Sequence, residues 1–151
     1  MTVSLLERLQ GDMKGAMRAG DAVRLGAIRM TIAALQSAEI AKRPAALDES
    51  ERLQVVVKAV KARREAAEAF RKGDRPELAE KEEKEAAVLE AYLPKALSEA
   101  EVKALVAEAV RESGASSPKE MGKVMKAVMP KVAGRADGGV VNRLVREALG
   151  A

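Results

Sequence analysis

Lys119, Lys123 and Lys126 recur at i, i+4 and i+7, Lys131 and Arg135 follow them, and Arg143 and Arg146 stand three apart. From Lys119 to Arg146 the chain carries these seven bases against two acids, Glu120 and Asp137, a net charge of +5. Cations clustered on neighbouring helices suit a phosphate backbone, which they neutralise without reading bases. Gly134, Gly138 and Gly139 allow close backbone approach, and Asp137-Gly138-Gly139 opens a helix whose free N–H groups can hold a phosphate. The same residues have a plainer account. Gly134 serves as a turn residue with positive φ, the paired glycines are a loose helix start, and lysines opposite an apolar stripe occur on any soluble helix.

Other chemistry finds little support. The 151 residues contain no histidine and no cysteine, which removes the usual general base, thiolate catalysis and the commonest metal ligands. No phosphate-binding loop of the G-x-x-x-x-G-K-[ST] type and no G-x-G-x-x-G occurs. Ser116, Ser117 and Lys119 are close enough in sequence to suggest a Ser-Lys dyad, but helix capping by Ser117 explains them better. Glu82-Glu83 reads as part of a solvated charged face. No catalytic residue, metal or cofactor is expected. One Phe and one Tyr supply no stacking platform for single strands, so a folded RNA met by shape and charge is the better polyanion.

The elements that must position the cations all read as helix. Of the hydrophobic residues 30 are alanines, so the core must be Leu, Val, Ile and Met packed between long helices. Leu5, Leu9, Met13 and Met17 predict a helix over 3–19. Asp21 caps a second, carrying Leu25, Ile28, Ile32 and Leu35, closed by Pro44. Asp48 or Ser50 opens a third with Leu53, Val56, Val57 and Val60, ending near Gly73. Asp74 caps a fourth, whose stripe of Leu78, Ala86 and Leu89 is weak; six acids against two lysines between Glu77 and Glu90 predict a largely solvated helix. Tyr92-Leu93-Pro94 breaks the pattern. Ser98 with Glu101, and Ser117 with Glu120, predict capping boxes for the next two helices; Gly114 ends the first and Pro130 stops the second. Asp137 caps the last, with Val140, Val141, Leu144, Val145 and Leu149 inward. Gly11, Gly15 and Gly26 inside helical patterns cost about 1 kcal/mol each against alanine, and close approach of the first two helices would give them a purpose. The expected fold is all-α, with a long-helix part over 1–93 and a compact three-helix module over 98–151. With no apolar span and no signal-peptide core, a soluble cytoplasmic protein without membrane contact is expected.

The blocks MKGAMRAGDAVRLGAIRMTIAALQSAEIAKR (13–43), EAYLPKALSEAE (90–101) and GASSPKEMGKVMKAVMPKVAGRADGGVVNRLVREAL (114–149) resemble those of the YqeY family. That family is related to the tail of the GatB subunit of the tRNA-dependent amidotransferase. The core GKVMKAVMPKVAGRAD is similar to the GatB tail motif, but inserts Met129-Pro130-Lys131-Val132 and has Gly138 in place of proline. The resemblance implies an all-helical fold, a link to tRNA, and an inherited label of carbon–nitrogen ligase with glutamine as amido donor. The domains that perform that reaction in the amidotransferase have no counterpart in these residues. The expected function is therefore a non-catalytic tRNA-binding or tRNA-associated protein. Its rivals are a protein–protein adaptor docking through the acidic helix, and an accessory component of an amidotransferase or of other translation proteins.

Overall fold

A computed structural model describes residues 3–150, and among them every regular element is helical, as the patterning predicts. The elements are α1 (Leu5–Ala19), α2 (Ala22–Lys42), α3 (Glu49–Lys72), α4 (Pro76–Glu90), α5 (Glu99–Ser113), a single 3-10 turn (Pro118–Glu120), α6 (Met121–Val132) and α7 (Gly138–Ala148). The chain divides into two compact units, one ending at Leu93 and the other beginning at Pro94.

In the first unit, α1 starts at a capping box that sequence reading overlooked: Ser4 Oγ accepts from the Glu7 N–H, and the Glu7 carboxylate accepts from the Ser4 N–H. Leu5 and Leu9 are buried, but Met17 is 52% exposed and Ala16 takes the inward position. A spacing of four drifts about 40° per step on a helix of 3.6 residues per turn, so a fourth residue at that spacing has left the core face. Ile28, Ile32 and Leu35 of α2, Val56 and Val60 of α3, and Leu89 of α4 complete the core with Ala27 and Ala86, neither of which has any exposed surface. Asp48 opens α3 with a capping box. Asp74 does not cap α4: it adopts φ 57°, and Arg75 stands at the N-cap without a side-chain bond. Leu78 faces solvent while Ala79 is buried.

The expectation of a solvated α4 holds for much of its length, with Glu77, Glu80, Lys81, Lys84 and Glu90 exposed, but one face is paired to α3. Arg63 of α3 reaches Glu82 at 3.5 Å and Glu85 at 3.3 Å, Arg64 reaches Glu90 at 2.5 Å, and Arg71 reaches Glu83 at 2.8 Å. Glu85 is 7% exposed. Glu82, Glu83, Glu85 and Glu90 are paired across to α3 while Glu77 and Glu80 stay exposed, and only the fold reveals the arginines opposite. The glycine expectation fails: a Cβ placed on Gly11, Gly15 or Gly26 would meet nothing within 4 Å, so no close helix approach depends on them.

In the second unit, Val102 and Val106 of α5, Val124, Val128 and Val132 of α6, and Val141, Leu144 and Val145 of α7 form one core. Met121, Met125 and Met129 pack at its edge, partly buried. Ser98 and Glu101 make the predicted capping box, and Gly114 ends α5 at φ 69°. Ser117 makes no cap bond; the Glu120 carboxylate instead accepts from the Ser116 N–H at 2.7 Å, and a 3-10 turn intervenes before α6. Pro130 does not stop α6 but lies inside it. Its ring removes one ladder bond; the fully buried Val128 and Val132 on either side hold the last turn against the core.

Candidate nucleic-acid interface

The seven cations do not share one surface. Lys119 sits in the 3-10 turn, and Lys123 and Lys126 lie one turn apart on α6; all three are exposed. Lys123 is 3.6 Å from Glu120, whereas Lys119 and Lys126 form no ion pair among the described residues. Lys131 is held in a fork, its Nζ 3.3 Å from Glu108 and 3.0 Å from Glu112 of α5. The two partners agree: the hydrogen bond to Glu112 raises the Lys131 pKa, and the same bond lowers that of Glu112. Arg143 of α7 pairs with Glu99 at 2.8 Å and Glu147 at 3.1 Å, and its pKa is raised chiefly by the bond to Glu99. Glu99 precedes Glu108 and Glu112 by nine and thirteen residues on α5, about half a turn away in azimuth. Arg143 and Lys131 therefore approach α5 from opposite sides. Arg146, exposed and three residues beyond Arg143, belongs to the α7 side.

Arg135 is fastened to backbone. Its Nε donates to the Lys95 carbonyl at 3.1 Å, and its own carbonyl accepts from the Leu97 N–H at 2.8 Å. Gly134, buried with φ 70°, turns the chain out of α6 so that both bonds can form. Asp137 occupies the N-cap position of α7, and its Oδ2 lies 3.2 Å from where a Cβ on Gly139 would stand. The protein's own carboxylate thus faces the turn begun by Gly138 and Gly139, where the positive end of the helix dipole lies.

What remains exposed is the set Lys119, Lys123 and Lys126, of which Lys123 is paired with Glu120. Beside it, between the end of α5 and α6, is a concavity of about 340 Å³ lined by Glu112, Ser113, Lys123, Lys126 and Ala127. The acids that divide the cations, Glu99, Glu108 and Glu112, were not singled out from sequence. Their one readable signal is that Glu108 and Glu112 stand at i and i+4, on one face of α5.

Among the described residues no helix is long and apolar enough to cross a membrane, and no group of His, Cys, Asp and Glu has the arrangement of a metal site.

The protein of Pyrenophora tritici-repentis named altered inheritance of mitochondria protein 41, mitochondrial, is 33% identical over 151 aligned positions, covering 97% of this chain and 82% of the relative. Proteins of the same name from Lachancea thermotolerans and Eremothecium gossypii are 33% and 35% identical; the chain spans 60% and 48% of their lengths, using 73% and 58% of its own. These names overturn the expectation of a cytoplasmic protein, since all three relatives are called mitochondrial. That expectation stood on the lack of a span and of a secretory signal, neither of which distinguishes the cytosol from an organelle interior. A family model described as Yqey-like protein matches residues 6–149, nearly the whole length. The chain therefore belongs to the YqeY-like family.

Proposed function

We propose that this protein binds folded RNA, tRNA above all, through phosphate contacts from Lys119, Lys123 and Lys126, and that it acts by binding and not by catalysis. The observation that carries the reading is the division of the cations: Lys131 and Arg143 are committed to carboxylates of other segments, Arg135 to the Lys95 carbonyl, and Arg146 lies on the α7 side, whereas Lys119, Lys123 and Lys126 are exposed on the 3-10 turn and α6, with only Lys123 paired, to Glu120 at 3.6 Å. The likeness of 114–149 to the GatB tail supports tRNA as the RNA. The absence of histidine and cysteine from the sequence supports binding over chemistry.

Three phosphate contacts give a slope of about −2.7 in log affinity against log salt, so a fourfold rise in salt weakens binding roughly 40-fold. Filter binding of unfractionated tRNA from bacterial and mitochondrial sources across a salt series tests this. Reversing Lys119, Lys123 and Lys126 to Glu should abolish binding, while reversing the exposed Lys14 and Lys58 of the other unit should leave it nearly unchanged. No binding at low salt, or equal losses from both sets, would remove the proposal.

A further inference from the structure

Two methionines of the first unit, Met17 on α1 and Met30 on α2, are 52% and 54% exposed. Both side chains are open to a small solute to the same degree. What stands beside their sulfurs differs. The Arg63 guanidinium reaches from α3 to α2, and its Nη2 donates to the Met30 Sδ at 3.0 Å. Among the described residues no donor reaches the Met17 sulfur.

The Arg63 contact joins unequal partners. A guanidinium is a permanently charged donor, and a thioether sulfur is a weak acceptor. The Arg63 side chain is only 18% exposed, so water does little to replace the weak partner. Its other nitrogens face α4: Nη1 lies 3.5 Å from Glu82, and Nε lies 3.3 Å from Glu85 without hydrogen-bond alignment. These carboxylates hold the guanidinium in place while its Nη2 edge meets α2. One oxygen added to the sulfur would correct the mismatch. Oxidation makes the side chain polar, and its oxygen accepts far better than the thioether. A hydrogen bond from a charged donor is about twice as strong as a neutral one. The usual penalty of methionine oxidation, a polar group left in an apolar core, does not arise for a side chain half in water.

We propose that Met30 is a modification site for hydroperoxides, whose sulfoxide is captured by Arg63 so that oxidation strengthens the tie between α2 and α3. In the step, a sulfur lone pair attacks the outer peroxide oxygen and the O–O bond breaks. The sulfur gains an S–O bond and gives up two electrons. The rest of the peroxide leaves as water or an alcohol, taking the proton that the transferred oxygen releases. This chain has no cysteine to reverse the step, so the electrons for reduction come from another protein. The inference is confined to the first unit and is independent of the RNA reading.

The experiment uses the full chain with hydrogen peroxide as the probe. Met17→Leu and Met30→Leu each leave one of the two exposed methionines, and peptide mass mapping locates the added oxygen. Oxidation of Met30 in the Met17→Leu protein should raise the melting temperature by about 2–4 °C. Oxidation of Met17 in the Met30→Leu protein should leave it unchanged or lower it. The Arg63 guanidinium resonances should move in the first case and stay in the second. Arg63→Lys keeps a cation for Glu82 and Glu85 but loses the fork, and in it oxidation of Met30 should bring no rise. If Arg63→Lys does not fold, the resonances of the native Arg63 decide. The proposal is overturned if peroxide oxidises Met17 and spares Met30. It is equally overturned if oxidation of Met30 leaves the melting temperature or the Arg63 resonances where they were, or if the same rise follows oxidation of Met17 or persists in Arg63→Lys.

Discussion

The hydroxyl of Tyr92, at the end of the first unit, donates to the carboxylate of Asp12 on α1, 80 residues earlier in the chain. Tyr92 is 7% exposed, its ring carries the Arg8 guanidinium 4.5 Å from the centroid, and Arg8 also donates to the Ala91 carbonyl. One aromatic residue thus ties the segment after α4 to α1 through a hydrogen bond, a cation–π contact and its buried face. Tyr92→Phe keeps the ring and loses the charged hydrogen bond, and should cost about 1–2 kcal/mol in urea unfolding. Tyr92→Leu should cost more, because the cation–π contact goes as well.

Breaking the Arg63 cluster should be more damaging. Glu85 is nearly buried against the Arg63 guanidinium; Nε lies 3.3 Å from Glu85 but is not aligned for a hydrogen bond. Arg63→Met strands a buried carboxylate and should cost about 3 kcal/mol. Arg63→Met with Glu85→Met should recover most of that loss, since an apolar pair of similar volume removes the stranded charge. Thermal unfolding of the two variants tests the order; equal destabilisation would show that Glu85 is already well solvated.

Gly11, Gly15 and Gly26 are helical, with open space where a side chain would grow. Each replaced by Ala should raise stability by about 0.5–1 kcal/mol. Gly114 and Gly134, at φ 69° and 70°, should lose about 1 kcal/mol on the same change, because an L side chain clashes in the left-handed region. A chemical denaturation series on five single variants separates the two classes by sign.

Stability should be level from about pH 6 to 9, where a chain without histidine has no ordinary side chain titrating. Glu39, Asp48, Glu101, Glu112 and Glu120 all have lowered pKa values: hydrogen bonds from the backbone at Leu47, Glu51, Ser98 and Ser116 are the leading causes for four, and the Lys131 side chain for Glu112. A depressed carboxyl adds stability above its unfolded value and loses it as pH falls through the folded one. The acid limb should therefore steepen below about pH 4.5, the unperturbed glutamate value. Tyr92, raised by burial and by its bond to Asp12, and Lys131 act in the opposite sense: their contribution is complete below about pH 10 and fades above it. A melting series from pH 3 to 11 should show both shoulders and a flat middle.

Helix existence was legible because apolar spacing and caps agreed: Asp21, Asp48 and Ser98 each accept the backbone bond that their position foretells. What the pattern hid were partners distant in sequence. The paired face of α4 reads as solvated until Arg63, Arg64 and Arg71 are placed opposite it. The cations of 119–146 read as one surface until Glu99 and Glu112 are found on opposite sides of α5. Local rules also failed where two local options competed, as when Glu120 took the Ser116 N–H and left Ser117 without the capping role. Charge runs advertise that a partner exists but not whether it is water, another helix or a ligand.

Ala27 of α2 and Ala86 of α4 have no surface left to lose. Where such residues line a seam, the backbones themselves set how far apart the helices lie, near the short end of the 8–10 Å range. Such a joint has no slack for an added methylene at either position. The tolerance of this unit to change is therefore governed by its smallest side chains, which act as a gauge on the spacing of everything packed around them.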